Sequence, residues 1–224
     1  MKKILLILGI IILSSFAEVT AWGKVGHRTI GEIAERQLTP EVREKVRKLL
    51  EGQSLAVVST WADEMRSNTE FDEFAKWHYI NLYLKYLVHM VGDLHQPLHT
   101  GREEDWGGNK IKVNFKGRKG AENWTNLHDL WDAGIIDDYK MSYTEYADKL
   151  INQFDNKLDF PQGNSLEWSK ESHSYVPKIY ETTAGTYLSY DYVYEVLPII
   201  DQRLYQAGIR LGNLLNDIFS EHTN

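Results

Sequence analysis

The chain has 224 residues, no cysteine and a net charge of −7 at pH 7. That length suits one domain with a substantial core. The missing cysteines exclude disulfides, thiolate metal ligands and cysteine-linked lipid, and the acidic balance excludes a nucleic-acid binder working through a basic surface, unless divalent cations among the acidic residues reverse the local field.

Lys2 and Lys3 precede an apolar run from Ile4 to Leu13, and Val19-Thr20-Ala21 puts small residues where a signal peptidase reads. The run is too short to span a bilayer comfortably. Residues 1–21 are therefore expected to be a cleaved signal peptide, with Trp22 the first mature residue and the protein exported to a periplasmic or extracellular space. Losing Lys2, Lys3 and Glu18 moves the charge to about −8.

Helical patterns dominate the mature chain. Val25 to Gln37 reads as a helix, and a second comes next with Thr39 as its cap, Pro40 at its first position and an end near Gly52. Val57 to Arg66 is helical and carries Trp61 and Asp63, and Leu84 to Leu94 is a strongly apolar helix. After Gly107-Gly108, the residues Ile111, Val113 and Phe115 alternate with polar ones, which predicts a short strand or β-hairpin. Asn126 to Ile136 returns to helix with His128 and Asp132, and Tyr143 to Phe154 is amphipathic. Phe160 to Ser165 is a loop, and two or three helices complete the chain, the last from Pro198 to Phe219. The expectation is one mainly α domain over 22–224, decorated by a short β-hairpin.

Residues 89–99, HMVGDLHQPLH, crowd three histidines and an aspartate into eleven positions. On a helix, His89 and Asp93 share one face a turn apart, close enough to hold one ion. Pro97 is read as the stop that lets His99 leave in a new direction. His128 and Asp132 repeat the same spacing. One such pair alone is as readily an ion pair or a satisfied core histidine. Two pairs, together with His27, Asp63, His78 and His99, point to metal, for which imidazole and carboxylate are ordinary ligands.

On WGKVGH, WADEMR, WHYIN, HMVGDLHQPLH, GGN and NLHDLWD, in that order, the mature chain resembles the S-one/P-one family of zinc-dependent single-strand nucleases, kin to bacterial zinc phospholipase C. The resemblance implies that helical fold and three zinc ions. By position, Asp63, His78, His89 and Asp93 would hold the first zinc. Asp93 would bridge to a second, held also by His27 and by the α-amino nitrogen and carbonyl oxygen of Trp22. His99, His128 and Asp132 would hold the third. A free amine can donate its lone pair where a peptide nitrogen is a poor ligand, so cleavage before Trp22 would complete the site. His95, His173 and His222 match no ligand position.

The same resemblance gives Asp63 a second role, orienting or deprotonating the attacking water, and Arg66 that of neutralising charge on the phosphate. Tyr79 would stack a base, and Asn81 stands where some relatives carry an acidic base-reading residue. The implied activity is endonucleolytic hydrolysis of single-stranded DNA and RNA to 5′-phosphorylated products, with 3′-nucleotidase activity beside it. The expected form is a monomer without stable membrane association.

One spacing departs from the family, whose members separate WHYIN from the His-x-x-x-Asp helix by a few dozen more residues. His78 and His89 are eleven apart, about 16 Å along one continuous helix, whereas zinc–nitrogen bonds are about 2 Å. Either the chain turns sharply between Asn81 and Tyr83, or a mobile loop is missing from the sequence at that join; we read it as the missing loop. The competing enzyme reading is a zinc phospholipase C, for which Tyr187, Tyr190, Tyr192 and Tyr194 could form an apolar rim. A non-catalytic zinc scaffold is the third, and it would need neither Arg66 nor ions with open positions.

Overall fold

The computed structural model describes residues 22–65, 80–117, 123–182 and 187–220. The expected leader 1–21 lies outside them, as do Arg66, His78, Tyr79 and His222.

The fold is mainly α, with one small sheet. Helix α1 (Lys24–Gln37) buries Ile30, Ile33 and Ala34 against the long C-terminal helix α11 (Tyr190–Phe219). Around this pair stand α2 (Pro40–Leu49), α3 (Leu55–Val58), α5 (Ile80–Leu94) and α8 (Tyr143–Phe154). The predicted start of α2 is present in atomic detail: Thr39 Oγ1 accepts from the Val42 N–H at 3.3 Å, with Pro40 in the first turn. Helix α8 begins on a reciprocal cap between Ser142 and Glu145, and α9 (Ser165–Ser174) on one between Asn164 and Glu167.

Four local readings need correction. The helix expected over 57–66 is two short ones, α3 and α4 (Trp61–Met65), broken at Ser59 and Thr60. Pro97 does not end α5, which stops at Leu94; Pro97 instead opens a 3-10 turn, Pro97–Thr100, where its missing N–H costs nothing. The hairpin of β1 (Lys112–Phe115) and β2 (Trp124–Asn126) gains a third strand, β3 (Tyr187–Leu188), parallel to β1 with Asn114 opposite Tyr187. Finally, the last helix starts at Tyr190, and Pro198 lies inside it.

Helix α5 is unbroken from Ile80 to Leu94, so no turn lies between Asn81 and Tyr83. Of the two explanations for the short His78–His89 spacing, that one is removed. Among the described residues, no helix is long and apolar enough to cross a membrane.

Candidate metal centre

The segment 89–99 is where the expected ligands converge. His89 and Asp93 lie one turn apart on the buried face of α5, and His27, one turn into α1, stacks its ring on His89 with centroids 4.2 Å apart and planes 15° apart. That approach requires Gly92. A Cβ there would stand 2.9 Å from His27 Nδ1, so any side chain would push the imidazole away.

Each oxygen of Asp93 faces a different histidine: Oδ1 is 3.5 Å from His27 Nε2, and Oδ2 is 3.5 Å from His89 Nε2. Asp63, from α4, brings Oδ1 to 3.6 Å from His89 Nε2. The other ring nitrogen of His89 donates to the Ser59 carbonyl at 2.8 Å, which leaves Nε2 as the lone-pair nitrogen. The break between α3 and α4 therefore has a use, since it presents that carbonyl.

A second group forms around Asp132. His128 Nδ1 donates to the Gly107 carbonyl at 2.7 Å, turning Nε2 toward Asp132 Oδ2 at 3.3 Å and His99 Nε2 at 3.3 Å. His99 Nε2 is 3.7 Å from Asp132 Oδ1. Gly107 has a φ of +61°, and a Cβ on it would lie 2.3 Å from the Leu98 carbonyl oxygen, so this close crossing of two loops needs glycine. His128 and Asp132 sit on a helical segment that begins with α6 (Leu127–Asp129), passes through a π turn over Leu130–Gly134 and continues as α7 (Ile135–Asp138).

These separations test whether the residues suit a metal. Distances of 3.3–3.7 Å between ring nitrogen and carboxylate oxygen lie at or beyond the long end of hydrogen bonds. They match the edge of a coordination tetrahedron, about 3.3–3.6 Å for bonds of about 2.0–2.2 Å. His27, Asp63 and His89 form one set able to close on an ion, and His99, His128 and Asp132 another. Asp132 is buried, and that burial pushes its carboxyl well above the usual carboxylate range; His128 and a hydrogen bond from Gln96 offset this only in part. A cation between the ligands would keep the carboxylate charged. The donor set fits zinc.

Sequence reasoning misses Gln96. Its Nε2 donates to Asp132 Oδ1 at 2.5 Å and its Oε1 accepts from the Leu98 N–H at 2.5 Å, so it ties the end of α5 to the second group. A buried glutamine between two histidines carries no ligand signature, and only the fold exposes its role.

Trp22 is fully buried, and the next N–H, that of Gly23, donates to the Asp132 carbonyl at 2.6 Å. The start of the described chain is thus fastened to the helix of the second group. Asn81 is not brought to either group; it stands two turns before His89, about 12 Å along the axis. Of the histidines that match no ligand position, His95 is buried with Nδ1 on the Val91 carbonyl at 2.8 Å and Arg210 Nη1 3.0 Å from Nε2. Burial, with Arg203 and Arg210 nearby, holds it well below the usual imidazole pKa. His173 is exposed, its Nδ1 2.5 Å from the Thr100 carbonyl.

A helical domain with two adjoining histidine–aspartate groups of this geometry has the ligands to hold divalent metal ions. Residues 22–83 and 81–220 match the S1/P1 Nuclease family model, and the chain belongs to that family, nucleases that hydrolyse phosphodiester bonds. It is similar to Endonuclease 5 of Arabidopsis thaliana, 28% identical over 273 aligned positions that cover 89% of this chain and 90% of the relative. It is also similar to Nuclease S1 of Aspergillus oryzae, 26% identical with 92% and 95% covered, and to Nuclease P1 of Penicillium citrinum, 23% identical with 88% and 97% covered. The family match divides at 81–83, and an alignment of 273 positions exceeds the 224 residues of the chain. Relatives thus carry internal segments that this chain lacks, and the division falls at the short histidine spacing.

Proposed function

We propose that the protein is an exported, zinc-dependent endonuclease that hydrolyses single-stranded DNA and RNA to 5′-phosphorylated products and also removes 3′-phosphates from nucleotides. The observation that carries this is the set of nitrogen–oxygen separations of 3.3–3.7 Å within two adjoining groups. Such edges suit ions held between the groups, and the nuclease reading of those ions rests on the family match.

His27, His89, Asp63 and Asp93 would hold two ions with Asp93 shared between them and the freed α-amine of Trp22 completing the second. His78, two residues before the unbroken α5, would complete the first only with the internal segment that relatives carry and this chain lacks. His99, His128 and Asp132 would hold the third. Zinc so bound supplies Lewis acidity and water activation near neutral pH. The side chains do the rest. The Ser59 and Gly107 carbonyls fix which nitrogen His89 and His128 present. Asp63 orients the attacking water and takes its proton. Arg66 is assigned to the phosphate oxygens, and Tyr79, with Asn81 two residues on, to the base. Single-strand preference is assigned to unstacked bases packing on aromatic rings, which the stacked bases of a duplex cannot do.

Nothing favours the phospholipase reading. Of its four rim tyrosines, Tyr187, Tyr190 and Tyr194 are exposed, but Tyr192 is buried and its hydroxyl accepts from Trp131 Nε1 at 2.7 Å. The deciding assay presents the mature protein with single-stranded DNA, RNA and phosphatidylcholine, with and without a zinc chelator. Chelator-sensitive cleavage of the nucleic acids is expected, and cleavage of lipid alone would overturn the proposal.

A further inference from the structure

Beside the second group lies a cavity of about 320 Å³ whose walls include His99, His128, Arg102, Glu103 and Trp106. Two of those side chains belong to the metal group, so whatever enters the cavity adjoins the phosphate on which the proposed nuclease acts. Trp106 is 66% exposed. It is also held at a φ of +56°, a conformation that bulky residues rarely adopt and that recurs at ligand-binding positions.

The loop around it is rigidly tied. Gly107 N–H donates to the Arg102 carbonyl at 2.8 Å, and Asp105 Oδ1 accepts from both the Gly108 N–H and the Tyr180 hydroxyl at 2.8 Å. The Arg102 guanidinium stacks 4.0 Å from the centre of the Tyr180 ring. An ordered guanidinium, an outward indole and two histidines around one cavity are the parts of a nucleotide subsite. Arginine takes a phosphate, and an aromatic face takes any base. Glu103 also lines the cavity; its acceptor oxygens repel phosphate and suit the amino edge of a base.

We propose that this cavity is a subsite for the substrate strand, in which Trp106 stacks the base next to the scissile phosphate and Arg102 holds the adjoining phosphodiester. The proposal rests on the nuclease reading, and two measurements keep the two separable. The first compares kcat/KM on a single-stranded oligonucleotide and on a 3′-nucleoside monophosphate for the wild type, Trp106→Ala and Trp106→Phe. The second measures binding of a fluorescent oligonucleotide in chelator, where no cleavage occurs. Because Trp106 is exposed, its replacement leaves the core intact.

Trp106→Ala is expected to lose about tenfold more kcat/KM on the oligonucleotide than on the monophosphate, through KM rather than kcat. It should also bind the oligonucleotide about tenfold more weakly, the size of one lost base stack, with Phe restoring most of both. A wild-type chain that cuts the oligonucleotide while Trp106→Ala matches it, or loses both substrates equally, overturns the subsite alone. A wild-type chain that neither cuts nor binds it overturns subsite and nuclease reading together.

Discussion

At the scale of single residues, the candidate centre depends on side chains that hold no metal as much as on those proposed to. Gly92 gives His27 its place beside His89, so Gly92→Ala is expected to displace that imidazole and lower bound metal and activity by more than tenfold. The protein should still fold, since a Cβ on the helix disturbs a ring rather than backbone; metal analysis of the folded variant checks this. Gln96→Leu removes the donor on Asp132 Oδ1. Its expected cost is a 10- to 100-fold weaker affinity at the second group, the range for partners of metal ligands, read by competition with a chelator. The candidate ligands could be proposed from the sequence because the histidine–aspartate pair four apart occurs twice, beside further histidines and Asp63. Gly92, Gln96 and the Ser59 carbonyl could not, because their roles exist only once α1, α3 and α5 meet.

At the scale of elements, the end of α5 is clamped from behind by α9 and α11. Arg203, fully buried, donates to the His95 carbonyl at 3.3 Å, to Ser172 Oγ at 2.6 Å and to Glu171 at 2.6 Å. Ser172 in turn donates to the Leu94 carbonyl at 2.5 Å, and Arg210 pairs with Glu171 at 2.6 Å. These bonds close on the residues between Asp93 and His99, where the helix has run out of its own partners. Removing Arg203 would leave several of them unmade, so Arg203→Ala is expected to cost about 3–5 kcal/mol of unfolding free energy, as for other broken buried pairs, measured by urea denaturation. Burial alone would raise the Glu171 carboxyl, but its bonds to Arg210 and Arg203 outweigh that and hold it below the usual range. A depressed carboxylate stabilises the fold above its unfolded pKa and loses that contribution as pH falls through the folded one. The acid limb of the stability profile should therefore flatten in Glu171→Gln below about pH 4.3. Helices with caps, such as α2 and α8, could be read from the chain almost residue by residue. Strand β3 could not: two residues have no period, and they become a strand only by pairing with β1.

At the scale of the whole molecule, an acidic chain is proposed to act on a polyanion, and bound cations would reconcile the two. They would also replace the missing disulfides as cross-links, joining α1, α4 and α5 in one group and the 3-10 turn with α6 and its π turn in the other. A chelator is accordingly expected to lower the melting temperature as well as the activity; unchanged melting would mean that the folded chain held no metal for the chelator to remove. The amine proposed to complete the centre would make maturation part of the mechanism, and one residue added before Trp22 should then depress activity while the fold persists.

The most direct test is native mass spectrometry of the chain beginning at Trp22. Three zinc ions per folded chain are expected, with one lost selectively in Asp132→Asn and more than one in Asp93→Asn, because Asp93 is proposed to be shared. A folded chain carrying no zinc, or holding it equally well after both substitutions, is incompatible with a shared three-ion centre.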